Sequence, residues 1–355
     1  MDKEGASPPL PSIDSDADRA AKRHMAYRLK ASESVPEAVQ RIAIEEIESA
    51  VDGLTKSDTD RDEAIHEARK SVKKIRGLLR LMRPELGETY EAENQRFRDV
   101  GHQLSEVRDA AALLETLDVI AEKYKNSLRK GALSGIRTGL EQAKSETEQA
   151  VNIGKVVNDA VRAFRAAAKN VKIWPLKNDG FRAIAPGLEL TYRAGRKALQ
   201  KVQEDPTPEN YHYLRRRAKD HWYHVRLLES LWTEVQQAHE SSLDTLQDWL
   251  GDEHNLVVLR QKIEADPAKF GGEEQVRFFD FLADQHQKEL RENALSLAQR
   301  IYEQKRKQFT ASMQRLWDAW QQQPAGISEL QKQERQAAKK HPRMVHRSGS
   351  QNAVA

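Results

Sequence analysis

The chain has 355 residues, with 58 Lys and Arg against 55 Asp and Glu, 38% hydrophobic residues and no cysteine. The lack of cysteine excludes disulfides, thiolate metal sites and cysteine nucleophiles, and it fits a reducing compartment. No run reaches the roughly 18–20 apolar residues of a membrane span, and the N-terminus has no apolar core of secretory length, so we expect a cytoplasmic protein.

Helical spacing of apolar residues runs through almost the whole chain. Residues 1–26, rich in Pro, Ser and Asp, are predicted to be disordered, and so is the basic tail 323–355. Between these tails the sequence predicts helices at 36–55, 61–83, 88–121, 122–149, 153–172, 187–203, 207–235, 238–265 and 273–322. Breaks are predicted at Pro84 and Gly87 and in the segments 174–180, 185–187, 204–210 and 265–272. The fold class is therefore all-α, and we expect helical bundles.

The helix predicted at 61–83 has one apolar face and one basic face. On a helical wheel, the apolar stripe consists of Ala68, Val72, Ile75, Leu79 and Met82. The opposite face and its flanks carry His66, Arg69, Lys70, Lys73, Lys74, Arg76 and Arg80. An ordinary solvated face interleaves carboxylates, because like charges three or four residues apart cost roughly 0.2–0.5 kcal/mol per pair. Hardly a carboxylate lies among these cations, Glu67 being the nearest, so they indicate a face that binds an anion.

This basic helix is repeated later in the chain. With His66 aligned to His212, an offset of 146 residues, Arg69 meets Arg215, Lys70 meets Arg216, Lys73 meets Lys219, Gly77 meets Tyr223 and Arg80 meets Arg226. The same offset continues without a gap to the pairs Leu104–Leu250 and Arg108–His254. The apolar side of the second helix is predicted to consist of Leu214, Ala218, Val225, Leu228 and Trp232. We therefore predict a folded region 27–322 made of two related halves, 27–185 and 186–322.

The length of the first stripe indicates the kind of anion. It extends over about four helical turns, too long for a single phosphate held at a glycine loop. Neither of the glycine-rich nucleotide-binding motifs occurs in the sequence. Apart from Tyr223, no aromatic residue interleaves with the cations, so stacking of single-stranded bases is poorly supported. Two facing rows of Lys and Arg suit a linear polyanion with closely spaced phosphates.

These residues resemble the CHAD family, the conserved-histidine helical domain that occurs alone or beside triphosphate-tunnel enzymes. The resemblance spans about 27–322 and rests on the segments 28–42, 66–76 (with the pattern H-x-x-R-x-x-x-[KR]), 104–113, 187–199, 212–219, 246–259 and the one containing Trp317 and Trp320. It implies two pseudo-symmetric four-helix bundles with a basic cleft or pore between them, which bind inorganic polyphosphate without catalysis. His254 and Asn255 depart from the family pattern, in which an Arg and an Asp are usual.

The resemblance and the basic faces together define a set of candidate polyphosphate-binding residues. In the first half they are His66, Arg69, Lys70, Lys73, Lys74, Arg76, Arg80 and Arg108. In the second half they are Arg193, Arg196, Lys197, His212, Arg215, Arg216, Lys219, Tyr223 and Arg226, with Arg28 and Lys30 as additional candidates near the N-terminus. Binding is expected to weaken as salt rises, and as pH rises through the range where His66 and His212 lose their protons. Long-chain binding could target the protein to polyphosphate granules.

Other ligands are less well supported. The cations around His66 and His212 would repel a divalent metal ion, so neither a metal nor another cofactor is expected. The E-x-E-x-K strand signature of triphosphate-tunnel enzymes is missing, so no enzymatic activity is expected. A nucleic-acid backbone would accept the same cations and stays open as the alternative ligand, whereas membrane binding is not expected. Whether the basic residues Arg162, Arg165, Lys169 and Lys172 line the cleft also stays open.

Overall fold

The computed structural model describes residues 27–56, 60–105, 109–129, 131–150 and 152–323, so the predicted tails lie outside the described residues apart from Gln323. Within these ranges the chain forms α-helices, two short 3-10 turns and no strand, which confirms the predicted all-α class. The helices are α1 (Val35–Thr55), α2 (Arg61–Leu81), α3 (Arg83–Leu86), α4 (Thr89–Gln103), α5 (Asp109–Lys123), α6 (Ser134–Ala150), α7 (Ile153–Val171), α8 (Phe181–Glu204), α9 (Pro208–Leu227), α10 (Thr233–Ala265), α11 (Gly272–Ile301) and α12 (Arg306–Gln321).

Polar caps set the starts of the helices that matter for the site. Ser34 caps α1 in a reciprocal pair with Glu37, in which the Ser34 side chain accepts from the Glu37 N–H. Asp60 accepts from the N–H of Asp62 at the start of α2, and Thr207 accepts from the N–H of Asn210 at the start of α9. These caps satisfy backbone donors that no helical turn can reach, so the two basic helices have defined first turns.

One predicted break is wrong. The segment 185–187 lies inside α8, with Pro186 in the second turn of the helix. Tertiary packing explains the difference, because Gly187 lies directly against the end of α2. A Cβ at position 187 would lie 1.7 Å from the carbonyl oxygen of Leu81. This close contact between α8 and α2 holds the helix through a proline that local propensity would place in a break.

Several long predicted helices are shorter in the structure. The segment 88–121 divides into α4 and α5, and 273–322 divides into α11 and α12 at residues 302–305. The helix predicted at 122–149 begins only at Ser134, and the one predicted at 207–235 ends at Leu227. Trp232, predicted on a buried face, follows that end and is 52% exposed. The helical spacing of apolar residues therefore continues across these turns in the sequence, because packing between distant segments sets the positions of the turns.

Two apolar cores hold the helices together. The larger core includes residues from α1, α2, α4, α7, α8, α9 and α12, and the smaller one joins α5 and α6 to later parts of α10 and most of α11. In the larger core α1 contacts α2 and α7, α4 contacts the same two helices, and α8 contacts α9 and α12. The two basic helices, α2 and α9, contact each other directly. None of the helices in the described ranges combines the length and the hydrophobicity of a membrane span.

Candidate polyphosphate-binding site

The two basic helices cross where Gly77 of α2 meets Tyr223 of α9. A Cβ at position 77 would lie 2.7 Å from the Cβ of Tyr223, so only glycine allows this approach. An imidazole nitrogen of His224 lies 3.1 Å from the Gly77 carbonyl oxygen, and the ring of Tyr27 meets that of Tyr223 edge-on. Tyr223 was predicted among the binding residues on the open face. It is instead buried, because its ring fills the space between the two helices.

Four cations gather on one side of this contact, and we call them the crossing cluster: Arg69, Lys73, Arg215 and Lys219. Lys73 and Lys219 each lie four residues, about one helical turn, before the crossing residue of their own helix. Burial, followed by the charges of Lys219, Arg69 and Arg215, lowers the pKa of Lys73 to about 7. Burial likewise lowers the pKa values of Lys219 and Arg215. The stripes from both halves of the sequence therefore converge at one place.

Lys73 combines a strongly lowered pKa with an exposed side chain. Solvent reaches Lys73, and Arg69, Arg215 and Lys219 are each half-buried. Many protein atoms therefore lie around Lys73, while its side chain stays open to solvent. Such a group is poorly hydrated but open to an anion from the solvent side.

A row of carboxylates on α10 faces the same cluster, and sequence reasoning missed it. Asp244, Asp248 and Asp252 are spaced four residues apart, on one face of the helix. The charges of Asp244 and Asp248 act on Lys219, and that of Asp252 acts on Arg215, each opposing the lowering of the cation's pKa. Burial and neighbouring aspartates in turn raise the pKa values of Asp248 and Asp252. The four-residue spacing was visible in the sequence, but its position opposite the basic stripe was not.

Other predicted binding residues form ion pairs with carboxylates of the same chain. The pairs are Lys74–Glu46 at 2.7 Å, Arg80–Asp220 at 3.0 Å, Arg226–Glu240 at 3.2 Å, Arg28–Glu229 at 3.5 Å and Lys70–Glu67 at 2.6 Å. Except for Glu67, these carboxylates come from other elements of the fold, which a wheel of a single helix cannot display. Glu46 and Asp220 are also buried. Removing Lys74 would leave the charge of Glu46 uncompensated in the interior, whereas Asp220 would keep a second pair, to Arg217 at 2.9 Å.

The histidines at the starts of the two stripes are His66 and His212. The ring of His212 lies 4.2 Å from that of His254. Burial, followed by the charges of Arg215 and Arg216, lowers the pKa of His212, and burial followed by His212 lowers that of His254 to about 4. His212 is therefore mainly neutral at pH 7, which moves its predicted contribution to pH dependence to more acidic pH. His66 is half-buried in α2, and Arg108, the predicted counterpart of His254, lies outside the described residues.

Comparison with known proteins identifies the family of this fold. A model of the CHAD domain matches residues 38–264. The chain belongs to the CHAD family. A crystal structure of the CHAD domain from the plant Ricinus communis is similar, with a TM-score of 0.54 and 17% identity over 78% of this chain and 94% of that one. At that identity the similarity supports the fold alone. No curated protein matched the chain. The CHAD family is associated with polyphosphate binding and generally acts as a non-catalytic binding domain.

The CHAD domain has a second basic region along α8, where three predicted residues lie. Arg193 and Lys197 line both of two neighbouring cavities, of about 310 and 470 Å³. Arg196 lines the larger cavity and donates to the backbone carbonyls of Glu303 and Gln304. Sequence reasoning missed further cations in these walls, namely Arg83 and Arg217 in the smaller cavity and Lys305 and Arg306 in the larger one.

The remaining candidates lie between or beside these two regions. Arg76 donates to Asn94 at 3.1 Å, and burial followed by the charge of Arg80 lowers its pKa to about 10. Arg216 and Lys30 are exposed. On α7, Arg162 pairs with Asp159; with Arg165 and Lys169 it is exposed. In the part of the CHAD domain that the structure describes, no group of three or more His, Asp or Glu side chains could hold a metal ion.

Proposed function

We propose that this CHAD domain binds inorganic polyphosphate, without catalysing its turnover, as a linear chain held by the crossing cluster. The observation that carries the proposal is the convergence of two cationic stripes at the Gly77–Tyr223 contact. Burial, followed by the charges of Lys219, Arg69 and Arg215, lowers the pKa of Lys73, so part of the lowering reflects repulsion among these cations in the free protein. Several phosphates lying between them would relieve this repulsion and add charge-assisted hydrogen bonds.

We also propose that the domain consists of two pseudo-symmetric four-helix bundles. The offset of 146 carries Val35 onto Phe181, the first residues of α1 and α8, and Leu81 onto Leu227, the last residues of α2 and α9. It also carries Gly77 onto Tyr223, the two residues in contact at the crossing. An approximate two-fold axis through that contact would explain why each stripe places its lysine, Lys73 or Lys219, one turn before the crossing residue. One bundle would comprise α1, α2, α4 and α7, and the other α8, α9, α10 and α12.

The ligand would need to be slender and highly charged. The carboxylate row on α10 faces part of the crossing cluster, so an anion must approach the cations while avoiding those aspartates. A single chain of phosphates places its charge in a narrow line, whereas a duplex distributes phosphates over a wide groove. Polyphosphate therefore fits this arrangement better than a nucleic-acid duplex.

The test compares a crossing variant with a matched control. The crossing variant replaces Arg69, Lys73, Arg215 and Lys219 with Gln, and the control variant replaces Arg129, Lys262, Arg277 and Lys288, which lie elsewhere in the fold. Each is titrated at near-physiological salt with long-chain polyphosphate, ATP, and single- and double-stranded DNA of matched charge. Because a hydrogen bond to a charged group contributes about 1.5–3 kcal/mol, the crossing variant should lose at least about 100-fold in polyphosphate affinity.

Three results of that test have distinct meanings. Retained helical circular dichroism with lost polyphosphate binding supports the proposal, and the salt dependence should weaken at the same time. Equal binding of polyphosphate and DNA by the wild type would favour a general phosphate-backbone surface instead. Equal affinity of the crossing and control variants for polyphosphate would refute the site. A fluorescent fusion, compared with the crossing variant in cells, tests whether binding also targets the protein to polyphosphate granules.

A further inference from the structure

We infer that a small protonated aliphatic amine binds in a cavity between α5, α10 and α11, which we call the amine cavity. These three helices contact one another in pairs, around the smaller apolar core. The cavity has a volume of about 130 Å³, and none of the described residues that line it belongs to the proposed polyphosphate site. Its polar lining residues are Glu115, Thr116, Asp252, Asn255 and His286.

The rest of the lining is apolar and sets the size of the ligand. Ala112 and Val119 lie on the same face of α5 as Glu115 and Thr116, at helical intervals of three and four residues, and Leu256 of α10 lies opposite. A cavity of roughly 150 Å³ is known to hold a benzene-sized molecule. The amine cavity therefore has room for a hydrocarbon chain of a few carbons beside one polar head group.

The charge of the lining favours a positive head group. Glu115 and Asp252 come from different helices, and both are exposed. Among the described residues, no cation lies at ion-pair distance from either carboxylate, and no Lys or Arg lines the cavity. Burial, followed by the charge of Asp248, raises the pKa of Asp252 against the opposing charge of Arg215. A cation beside Asp252 would stabilise its ionised form.

His286 of α11 is an independent indication that a ligand is missing from this cavity. It is only 8% exposed, and neither of its ring nitrogens has a hydrogen-bond partner among the described residues. Buried polar groups are normally paired. Burial, followed by the charge of Lys123, lowers the pKa of His286 against the opposing charge of Glu289, so the ring is neutral at pH 7.5. A neutral ring has one acceptor nitrogen, which an N–H donor in the cavity would satisfy.

The polar groups suit an ammonium ion better than a metal ion. The Thr116 hydroxyl donates to the Ala112 carbonyl at 2.8 Å, so its oxygen is left to accept. Asn255 adds an amide oxygen from α10. Although the lining includes Glu115, Asp252 and His286, no described group of three or more such side chains is arranged to hold a metal ion. An ammonium group has three N–H donors that point in different directions, so its acceptors need not converge at metal–ligand distance.

The test follows the histidine ring signals of the full chain by two-dimensional NMR at pH 7.5. The signal of His286 is assigned by its loss in a His286→Gln variant. The probes are butylamine, which is protonated at this pH as a lysine side chain is, and 1-butanol, which has the same chain without the charge. Butylamine should shift the His286 signal saturably, and 1-butanol should bind at least tenfold more weakly. Equal affinities for the two probes would mean that the cavity recognises only the hydrocarbon chain, and would overturn the inference.

Two variants of the cavity are compared with a matched control. The charge variant carries Glu115→Gln and Asp252→Asn. The control carries Glu48→Gln and Asp52→Asn, which removes two exposed carboxylates four residues apart on α1. The filling variant, Ala112→Leu, keeps every charge and occupies the cavity. Because none of these replaced side chains is buried, all three variants should keep the wild-type circular dichroism.

The charge variant should lose roughly fivefold or more in butylamine affinity, and the control should stay within about twofold of the wild type. The filling variant should also bind butylamine at least fivefold more weakly, because its new side chain takes the place of the ligand. Equal affinities of the charge variant and the control would refute the role of the carboxylates. Wild-type affinity in the filling variant would place butylamine on exposed carboxylates outside the cavity, and would overturn the site. Polyphosphate is absent from these titrations, so their result does not depend on the proposed function.

Discussion

Replacing Lys73 with Arg should remove most of the pH dependence of polyphosphate binding between pH 7 and 9. With a pKa of about 7, Lys73 is half protonated at pH 7 and only about a tenth protonated at pH 8. A bound phosphate favours the ammonium form and raises its pKa, so binding takes up a proton. The contribution of Lys73 to polyphosphate affinity is therefore fully present below about pH 7 and is lost as the pH rises above that value. The limit is tenfold per pH unit; because solvent reaches Lys73 and screens its charge, we expect about three- to tenfold.

The guanidinium introduced by Lys73→Arg would stay charged throughout this range, since an arginine side chain does not lose its proton in proteins. Titration calorimetry at pH 8 in two buffers with different ionisation enthalpies measures the protons taken up on binding. A three- to tenfold change per pH unit corresponds to roughly half to one proton taken up by the wild type, and Lys73→Arg should take up distinctly less. Lys219, whose pKa is also lowered, is tested in the same way with Lys219→Arg. His212 and His254 do not interfere, because their pKa values are lowered and they are neutral at pH 8. Identical proton uptake by the wild type and both Arg variants would refute the reasoning.

Three further outcomes test the fold and the surroundings of the site. Gly187→Ala should destabilise the protein by about 2 kcal/mol or more in urea unfolding, because its Cβ would overlap the Leu81 carbonyl; Gly53→Ala, with open space around it, should be neutral or stabilising. Burial lowers the pKa of His239 to about 4. The free energy of unfolding should therefore be at its full value above about pH 6.5 and fall by on the order of 3 kcal/mol towards pH 4, as the buried ring must take up a proton. A His239→Gln variant that loses as much stability in acid would contradict this. Asp248→Asn should raise polyphosphate affinity roughly two- to fivefold in the same titration, because it removes a charge opposing the crossing cluster; unchanged affinity would mean the carboxylate row lies outside the path of the ligand.

The sequence was sufficient for the all-α class and for the position of the first basic helix. Its apolar positions recur every three or four residues, and Val72 and Ile75 are buried as that periodicity requires. The continuation of α8 through 185–187 could not be predicted, since it depends on the close approach of Gly187 to Leu81, more than 100 positions away in the sequence. The same limit applies to Tyr223, whose burial depends on the crossing with a distant helix. Local pattern determines which face of a helix is apolar, whereas contacts between helices determine which polar residues remain open.

For the candidate site, the missing information was the location of the carboxylates. A helical wheel of α2 displays its cations, but Glu46 comes from α1 and Asp220 from α9. Likewise, Glu240 of α10 pairs with Arg226. No spacing rule within one helix connects such residues, because their proximity is created by the tertiary fold. The cations Lys305 and Arg306 in the wall of the larger α8 cavity were missed in part for the same reason, since they lie at a connection between helices and not in a basic stripe.

The pairing of charges divides the cations of the two basic helices into two groups. Lys74, Arg80 and Arg226 all lie within three residues of the crossing position on their own helix, and each pairs with a carboxylate of another helix. The Arg80–Asp220 pair joins α2 directly to α9. These cations therefore fix the crossing. They also neutralise the negative charges of the buried carboxylates Glu46 and Asp220. Lys73 and Lys219 lie one turn before the crossing residues, and after burial the charge of Lys219 contributes to the lowered pKa of Lys73. Under the proposed function, bound polyphosphate relieves this repulsion. A rigid crossing holds that repulsion in place, because helices free to separate would relax it without binding anything.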